Sequence, residues 1–126
     1  MKPTFYLSRS FTFDAAHTLI RDVPIEQYEA SQRIHGHSYT ATVTVCGKRN
    51  GRGMLVDLHD FDRALSVARA ALDHRFLDHV EGIGPATIEN LCVFIHAKVA
   101  PLLPRVVAVE VSRAAGDSCR ATWGGR

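Results

Sequence analysis

The sequence predicts an α+β fold, in which a four-stranded antiparallel sheet carries two helices on one face within a single domain spanning residues 1–126. Two segments near the N-terminus alternate apolar and polar side chains, and two central segments repeat apolar residues at helical spacing. A valine-rich segment and a short final segment read as further strands. Because strands come before and after the helices rather than between them, the order favours an antiparallel sheet covered on one side.

The first two strands are predicted from alternating side chains. One face of residues 4–17 is apolar and carries Phe5, Leu7, Phe11, Phe13 and Ala15. A polar loop over 18–34 follows, and residues 37–46 alternate again, with one face formed by Tyr39, Ala41, Val43 and Val45. The glycine-rich turn over 47–53 predicts that residues 54–56 pair back as a short additional strand.

Two amphipathic helices come next. Asp57 is the expected N-cap of a helix over about 58–72, whose apolar positions are Leu58, Phe61, Leu65, Ala68 and Leu72. Residues 73–85 are predicted to be a connection. Thr87 then caps a second helix, which ends near Pro101 and carries Leu91, Phe94, Ile95 and Val99 on one face. The last two strands are expected at 107–111 and 120–123.

The composition indicates a single globular domain without a membrane span. A chain of 126 residues with 46% hydrophobic and 22% charged residues is typical of one globular domain with its own core. No apolar run approaches the roughly 20 residues of a membrane span, and the N-terminus lacks the apolar stretch of a secretory signal. A cytoplasmic location is therefore expected. The net charge of +2 and the scattered arginines argue against a nucleic-acid partner.

Three histidines are candidate metal ligands. His35 and His37 are two residues apart in a predicted strand, so they point to the same face, with Gly36 between them adding no bulk. His17 ends the apolar row of the first strand. Three neutral imidazoles and an open fourth position are typical of catalytic zinc. The alternative is that they are ordinary surface or core histidines, because a His-x-His pair alone is weakly specific.

The residues around these histidines resemble the 6-pyruvoyl-tetrahydropterin synthase and 6-carboxytetrahydropterin synthase family of the tunnelling fold. The similarity covers nearly the whole chain and rests on five motifs in the family's order. They are Phe13-Asp-Ala-Ala-His17, His35-Gly-His37-Ser-Tyr39, Gly53-Met-Leu-Val-Asp57, Leu72-Asp73-His74 and Pro85-Ala-Thr-Ile-Glu-Asn90. Each motif is weak alone, but together they are specific.

The resemblance implies a homohexamer, in which three sheets close a barrel, two trimers stack and the active sites lie at subunit boundaries. It implies zinc held by His17, His35 and His37, and a catalytic pair formed by Asp73 and His74. The implied substrate is the pterin 7,8-dihydroneopterin triphosphate. The 6-carboxytetrahydropterin activity of the queuosine pathway is favoured over the 6-pyruvoyl-tetrahydropterin activity.

The resemblance also assigns substrate contacts to the start of the second helix, at Thr87 and Glu89. For Glu89 the alternative is only a favourable charge in the first turn of a helix. For Asp73 and His74 the alternative is an unremarkable surface pair at a helix end, where the helix dipole favours a histidine.

Two positions depart from the family pattern. Ser31 stands where the family has its proton-transferring cysteine, and a serine hydroxyl cannot act as a base unaided. Cys46, Cys92 and Cys119 lie elsewhere in the sequence and are not expected to replace it. On the predicted third strand, Arg113 falls where the family has a ligand-anchoring glutamate. Glu110 is three residues earlier and would face the opposite side of a regular strand, unless a β-bulge moved it.

These departures leave three hypotheses open. In the first, the enzyme uses another base, such as Glu29 or Glu26. In the second, it is a paralogue whose Arg113 meets an anionic group of a different substrate. In the third, it is a catalytically impaired protein that binds zinc and a pterin- or purine-like ligand without turnover.

Overall fold

The computed structural model describes residues 1–18 and 34–124. In chain order, the described residues form β1 (Phe5–His17), β2 (His35–Gly47), α1 (Leu58–Leu72), β3 (Arg75–Phe76), a 3₁₀ turn (Leu77–His79), α2 (Ile88–Val99), β4 (Val106–Arg113) and β5 (Ser118–Thr122). The predicted α+β fold with a mostly antiparallel sheet and two helices is confirmed. No helix in these residues is long and apolar enough to cross a membrane.

The sheet has the order β3-β1-β2-β4-β5 within the described ranges. Strands β1, β2, β4 and β5 pair antiparallel, as predicted. The two-residue strand β3 was not predicted, and it pairs parallel with the end of β1, Ala15 lying opposite Arg75. A strand of two residues is too short to show any periodicity in the sequence.

The predicted strand over 54–56 is wrong. The chain bends there instead, because Asn50 closes the preceding turn on itself. Its side-chain oxygen accepts hydrogen bonds from the backbone N–H groups of Arg52 and Met54, at 2.8 and 3.1 Å. Its own N–H donates to the carbonyl of Met54 at 2.8 Å, so Met54 turns toward Asn50 rather than extending along β2.

The strand register places the histidines and the core on one face. His17 lies opposite His35, Ala15 opposite His37 and Phe13 opposite Tyr39. This is the face that α1 and α2 cover, and its largest fully buried side chains include Tyr39, Phe13, Phe61, Leu72, Leu91 and Ile95. The three histidines therefore lie on the covered face, at the end of the β1–β2 pair where His17 and His35 are opposite each other.

The opposite face of the sheet is rich in hydroxyl groups. Ser8 and Thr44 are hydrogen-bonded across β1 and β2 at 2.6 Å, and Ser10 and Thr42 at 2.7 Å. Ser8 and Ser10 are exposed. The sheet thus has one face that forms the core and one polar face.

Helix caps confirm both predicted helix starts. The carboxylate of Asp57 accepts from the N–H of His59 at 2.7 Å, and the hydroxyl of Thr87 accepts from the N–H of Asn90 at 3.1 Å. Each cap satisfies a backbone donor that the helix itself leaves free. The C-terminal end of α1 reaches the end of β1, where the N–H of Asp14 donates to the carboxylate of Asp73 at 3.0 Å.

Candidate functional site

The three predicted histidine ligands are brought together at one end of the sheet. The ring centroids of His17 and His37 are 5.1 Å apart, those of His17 and His35 are 6.2 Å apart, and those of His35 and His37 are 6.5 Å apart. Cross-strand pairing produces this cluster, because β1 and β2 each end their covered face in a histidine.

His17 is held in a defined orientation. Its side chain is only 4% exposed, and Nδ1 lies 3.0 Å from the carbonyl oxygen of Thr18, so Nδ1 carries the proton and donates it to that oxygen. Nε2 is then an acceptor, and it is buried without a hydrogen-bond partner among the described residues. A metal-binding histidine is oriented in this way, with one ring nitrogen bonded to the protein and the other left for the ion.

The donor set fits a zinc ion. Three imidazole ligands at Zn–N distances of about 2.1 Å have ring centroids about 5 Å apart, close to the spacing of His17 and His37. Within residues 1–18 and 34–124, no three His, Cys, Asp or Glu side chains are close enough to hold an ion as they stand. His35 is the outlying ring, and it is exposed at the start of β2. Burial lowers the pKa of His37, with help from the charge of Arg113, which favours the neutral form that binds metal.

Asp73 and His74 follow directly after α1, beside β1. The carboxylate of Asp73 is 2.9 Å from the guanidinium of Arg69 and 3.6 Å from Nε2 of His74. The hydrogen bond from the N–H of Asp14 lowers the pKa of Asp73, and Arg69 adds to this effect. Asp73 therefore stays ionised at neutral pH and can stabilise a protonated His74 ring.

The backbone of His74 is held in an unusual conformation. Its φ of 57° is left-handed, a region that glycine or asparagine occupies more easily at a helix end. Its N–H donates to the carbonyl of Asp14 at 2.7 Å, which ties it to β1. The side chain of His74 is 80% exposed, so its ring is available to a ligand.

Two cavities flank the histidine cluster. The first has a volume of about 580 Å³, and its lining residues include His37 and His74, with Asp14, Gly36 and Ser38. The predicted catalytic histidine and one predicted metal ligand therefore both border this cavity.

The second cavity, of about 390 Å³, lies on the other side of His17. It is lined by His17, Ala86, Thr87, Ile88, Glu89, Arg113, Asp117, Ser118 and Cys119. Three of the four predicted substrate-binding residues, Thr87, Glu89 and Arg113, thus share one cavity. Cys119 also lines this cavity.

Glu110 does not reach either cavity. The pairing of β2 with β4 is regular from Tyr39–Arg113 to Thr42–Glu110, and the register shift comes only later, at Thr44/Val45. Glu110 therefore faces the hydroxyl-rich side of the sheet, with Arg120 as its cross-strand neighbour. No bulge moves it to the face of Arg113. Ser31, Glu29 and Glu26 lie outside the described residues.

Tyr39 contributes a buried hydroxyl near the cluster. Its ring stacks on Phe13 with centroids 4.7 Å apart and meets His37 edge-on at 5.7 Å. Its hydroxyl has no hydrogen-bond partner among the described residues, and burial raises its pKa to about 12. The phenol therefore stays protonated and is a donor at neutral pH.

Two carboxylates that position the site were missed in the sequence. Asp78, in the 3₁₀ turn, accepts hydrogen bonds from the N–H of Thr18, at 2.9 Å, and from its hydroxyl, and so secures the residue that orients His17. Asp14 accepts from the hydroxyl of Ser38 at 2.6 Å, which ties β1 to β2 beside the histidines. Asp14 stands inside the first histidine motif, which was the available signal; Asp78 stands in no motif.

A two-helix, antiparallel-sheet domain with histidines at one end of its covered face defines a protein of the tunnelling-fold class. The sequence profile of the 6-pyruvoyl tetrahydropterin synthase family matches residues 6–123. The chain therefore belongs to the 6-pyruvoyl tetrahydropterin synthase family, whose members are lyases acting on pterins.

Individual relatives agree with this assignment. The chain is 30% identical over 100 residues to an Archaeoglobus fulgidus protein provisionally named 6-carboxy-5,6,7,8-tetrahydropterin synthase, covering 79% of this chain and 80% of that one. It is 35% identical over 106 residues to 6-pyruvoyl tetrahydrobiopterin synthase of Drosophila melanogaster, covering 75% of this chain and 63% of the relative.

Solved structures share the fold. The 6-pyruvoyl tetrahydropterin synthase of Caenorhabditis elegans superposes with a TM-score of 0.85 at 22% identity, covering 98% of each chain. A Plasmodium vivax 6-pyruvoyltetrahydropterin synthase, solved with a catalytic glutamate replaced by alanine, gives a TM-score of 0.74 at 14% identity, covering 95% of this chain and 98% of that one.

Proposed function

We propose that the protein is a zinc-dependent lyase acting on 7,8-dihydroneopterin triphosphate or a close pterin. The observation that carries this proposal is the histidine cluster between two cavities, with Nε2 of His17 buried and unpartnered among the described residues. The name of the Archaeoglobus relative favours the 6-carboxytetrahydropterin type of reaction, in the queuosine pathway, over the 6-pyruvoyl type.

His17, His35 and His37 would hold the zinc, which when bound supplies Lewis-acid chemistry that makes carbons next to coordinated hydroxyls more acidic. His74 would accept or return a proton of a ligand in the first cavity, which it lines, and Asp73 beside it would stabilise the imidazolium. Thr87 and Glu89 line the second cavity, where the ring of the substrate would bind.

Ser31 stands in the position of the family's proton-transferring cysteine, so a fully active protein would need another residue as its general base. A carboxylate is a suitable candidate, because the Plasmodium vivax relative has a glutamate described as a catalytic residue. In this chain Glu29 and Glu26 stand just before Ser31 in the sequence. The competing function is a paralogue that binds zinc and a pterin- or purine-like ligand without turning it over, and Ser31 is the observation in its favour.

Incubation with 7,8-dihydroneopterin triphosphate separates the two functions. Mass spectrometry of the products, with and without chelation of zinc, should show slow zinc-dependent formation of a tetrahydropterin product. A control reaction with the His35→Ala variant should give no product. Binding of the substrate without any product in the zinc-loaded protein would assign the chain to the binding class.

We further propose that the chain assembles as a homohexamer with shared sites. Strands β3 and β5 lie at the edges of the sheet, where their free backbone groups would otherwise stay unpaired. Closing sheets into a barrel removes such edges, and it would enclose the hydroxyl-rich face. Sedimentation at micromolar concentration should therefore show a hexamer, whereas a monomer throughout the concentration range would disprove the assembly.

A further inference from the structure

An arginine–aspartate pair stands inside the cavity next to His17. The Nε of Arg113 donates to Oδ1 of Asp117 at 2.8 Å, and Nη2 donates to Oδ2. The backbone reinforces the pair, because the N–H of Arg113 donates to the carbonyl of Asp117 at 2.9 Å across the β4–β5 turn. Both residues line the cavity, and their side chains are 28% and 41% exposed, so the pair forms part of the cavity wall that solvent and a ligand can reach.

The charges of this cavity favour a ligand that donates hydrogen bonds. Among its described lining residues Arg113 is the only Lys or Arg, and Asp117 and Glu89 are both carboxylates. The charge of Arg113 is thus neutralised by Asp117 within the cavity wall, and Glu89 adds a second carboxylate that can accept hydrogen bonds. An anionic ligand group would have to displace Asp117 from Arg113.

The carboxylate of Asp117 keeps acceptor capacity. A bidentate arginine occupies one lone pair on each oxygen, so the remaining lone pairs can accept from a ligand. Ala86 and Ile88 add apolar surface to the same wall, which suits the face of a flat ring. His17 lines the same cavity, and its ring centroid is 5.1 Å from that of His37, so the pair lies next to the histidine cluster.

We propose that Asp117, positioned by Arg113, accepts hydrogen bonds from the amino edge of a flat heterocycle bound in this cavity. The inference rests on the proposed function and assigns the part of the site that selects a 2-amino ring. Asp117 is a ligand-binding residue here, and Arg113 is a positioning residue that holds the carboxylate in place. The alternative, in which Arg113 meets an anionic group directly, predicts effects of opposite sign.

The test compares three ring compounds on the zinc-loaded protein by fluorescence titration. Pterin has the 2-amino group, lumazine has an oxygen in its place, and 6-carboxypterin adds an anionic group. The wild-type protein should prefer pterin to lumazine. In Asp117→Asn, pterin should bind about ten- to a hundredfold more weakly, because a hydrogen bond to a charged acceptor is lost, and the preference over lumazine should largely disappear.

A second arginine–aspartate pair, formed by Arg9 and Asp62, provides the matched control. Asp62 on α1 forms a two-point contact with Arg9 on β1, at 2.7 and 3.3 Å, and neither residue lines the cavity. Asp62→Asn should leave both the affinity and the preference unchanged. Asp117→Ser is a second variant, with the same expected loss of preference, in case the asparagine variant does not fold.

The outcomes separate the two proposals. If the wild-type protein binds pterin but Asp117→Asn keeps its affinity and preference, the role of Asp117 is wrong and the proposed function stands. Tighter binding of 6-carboxypterin by Asp117→Asn would show that Arg113 meets an anion, and it would also overturn the inference. A zinc-loaded wild-type protein that binds none of the three rings would disprove the proposed function and this inference together.

Discussion

Replacing Ser31 with cysteine should raise the turnover of 7,8-dihydroneopterin triphosphate by about a hundred- to ten-thousandfold, the usual contribution of a general base. A free thiol has a pKa near 8.5, and a thiol beside a metal ion or a histidine has a lower one, so that a thiolate is accessible at neutral pH. A serine hydroxyl has no comparable acidity. Initial rates of product formation by the natural and Ser31→Cys proteins, measured at equal zinc content, give the comparison.

The control must show that a rate increase depends on a thiol at residue 31 and not on an added thiol anywhere in the protein. Ser66 lies on an exposed position of α1, where its hydroxyl donates to the carbonyl of Asp62 at 2.9 Å. Ser66→Cys should therefore leave the rate unchanged. A natural protein that is already fast, with no gain in Ser31→Cys, would show that another residue is the base. Glu29→Gln would be the first variant to examine in that case.

Replacing His35 or His37 with alanine should remove most of the bound zinc. We expect about one zinc per chain in the natural protein and a small fraction of that in His35→Ala or His37→Ala after dialysis, because two imidazoles alone do not hold the ion firmly. His17 is a poorer choice for this experiment, since it is 4% exposed and its loss would disturb packing. Elemental analysis of the purified variants measures the effect.

His59 provides the control for zinc content. It is exposed in the first turn of α1 and stands in no motif, so His59→Ala should keep a full complement of zinc. Circular dichroism should show that all variants remain folded. Full retention of zinc by both His35→Ala and His37→Ala would contradict the assignment of the metal site.

Local patterns in the sequence were enough for the main elements. Alternation identified β1 and β2, and helical spacing with the caps Asp57 and Thr87 identified α1 and α2. These features could be predicted because period and capping depend on residues close together in the chain. The same reasoning failed for residues 54–56, where the side chain of Asn50 closes the turn, and for β3, which is too short to show a period.

The candidate site likewise combines features that the sequence predicts with contacts that only the tertiary structure shows. The sequence by itself determined that His35 and His37 share a face and that His17 ends the apolar row of β1, because the two-residue period of a strand requires it. Only the tertiary structure decided which other groups meet them. The contact of Asp14 with Asp73 joins positions 59 residues apart, and it exists because α1 ends beside β1.

The pairing of β4 with β2 and β5 likewise decided the ligand cavity. Regular register puts Arg113 beside Tyr39 and sends Glu110 to the other face. The β4–β5 turn sets Asp117 against Arg113, and the start of α2 brings Glu89 to the same cavity as His17. Apart from the local pair of Arg113 and Asp117, which are four residues apart, no spacing in the sequence encodes these contacts, since they depend on strand register and helix placement between segments far apart in the chain.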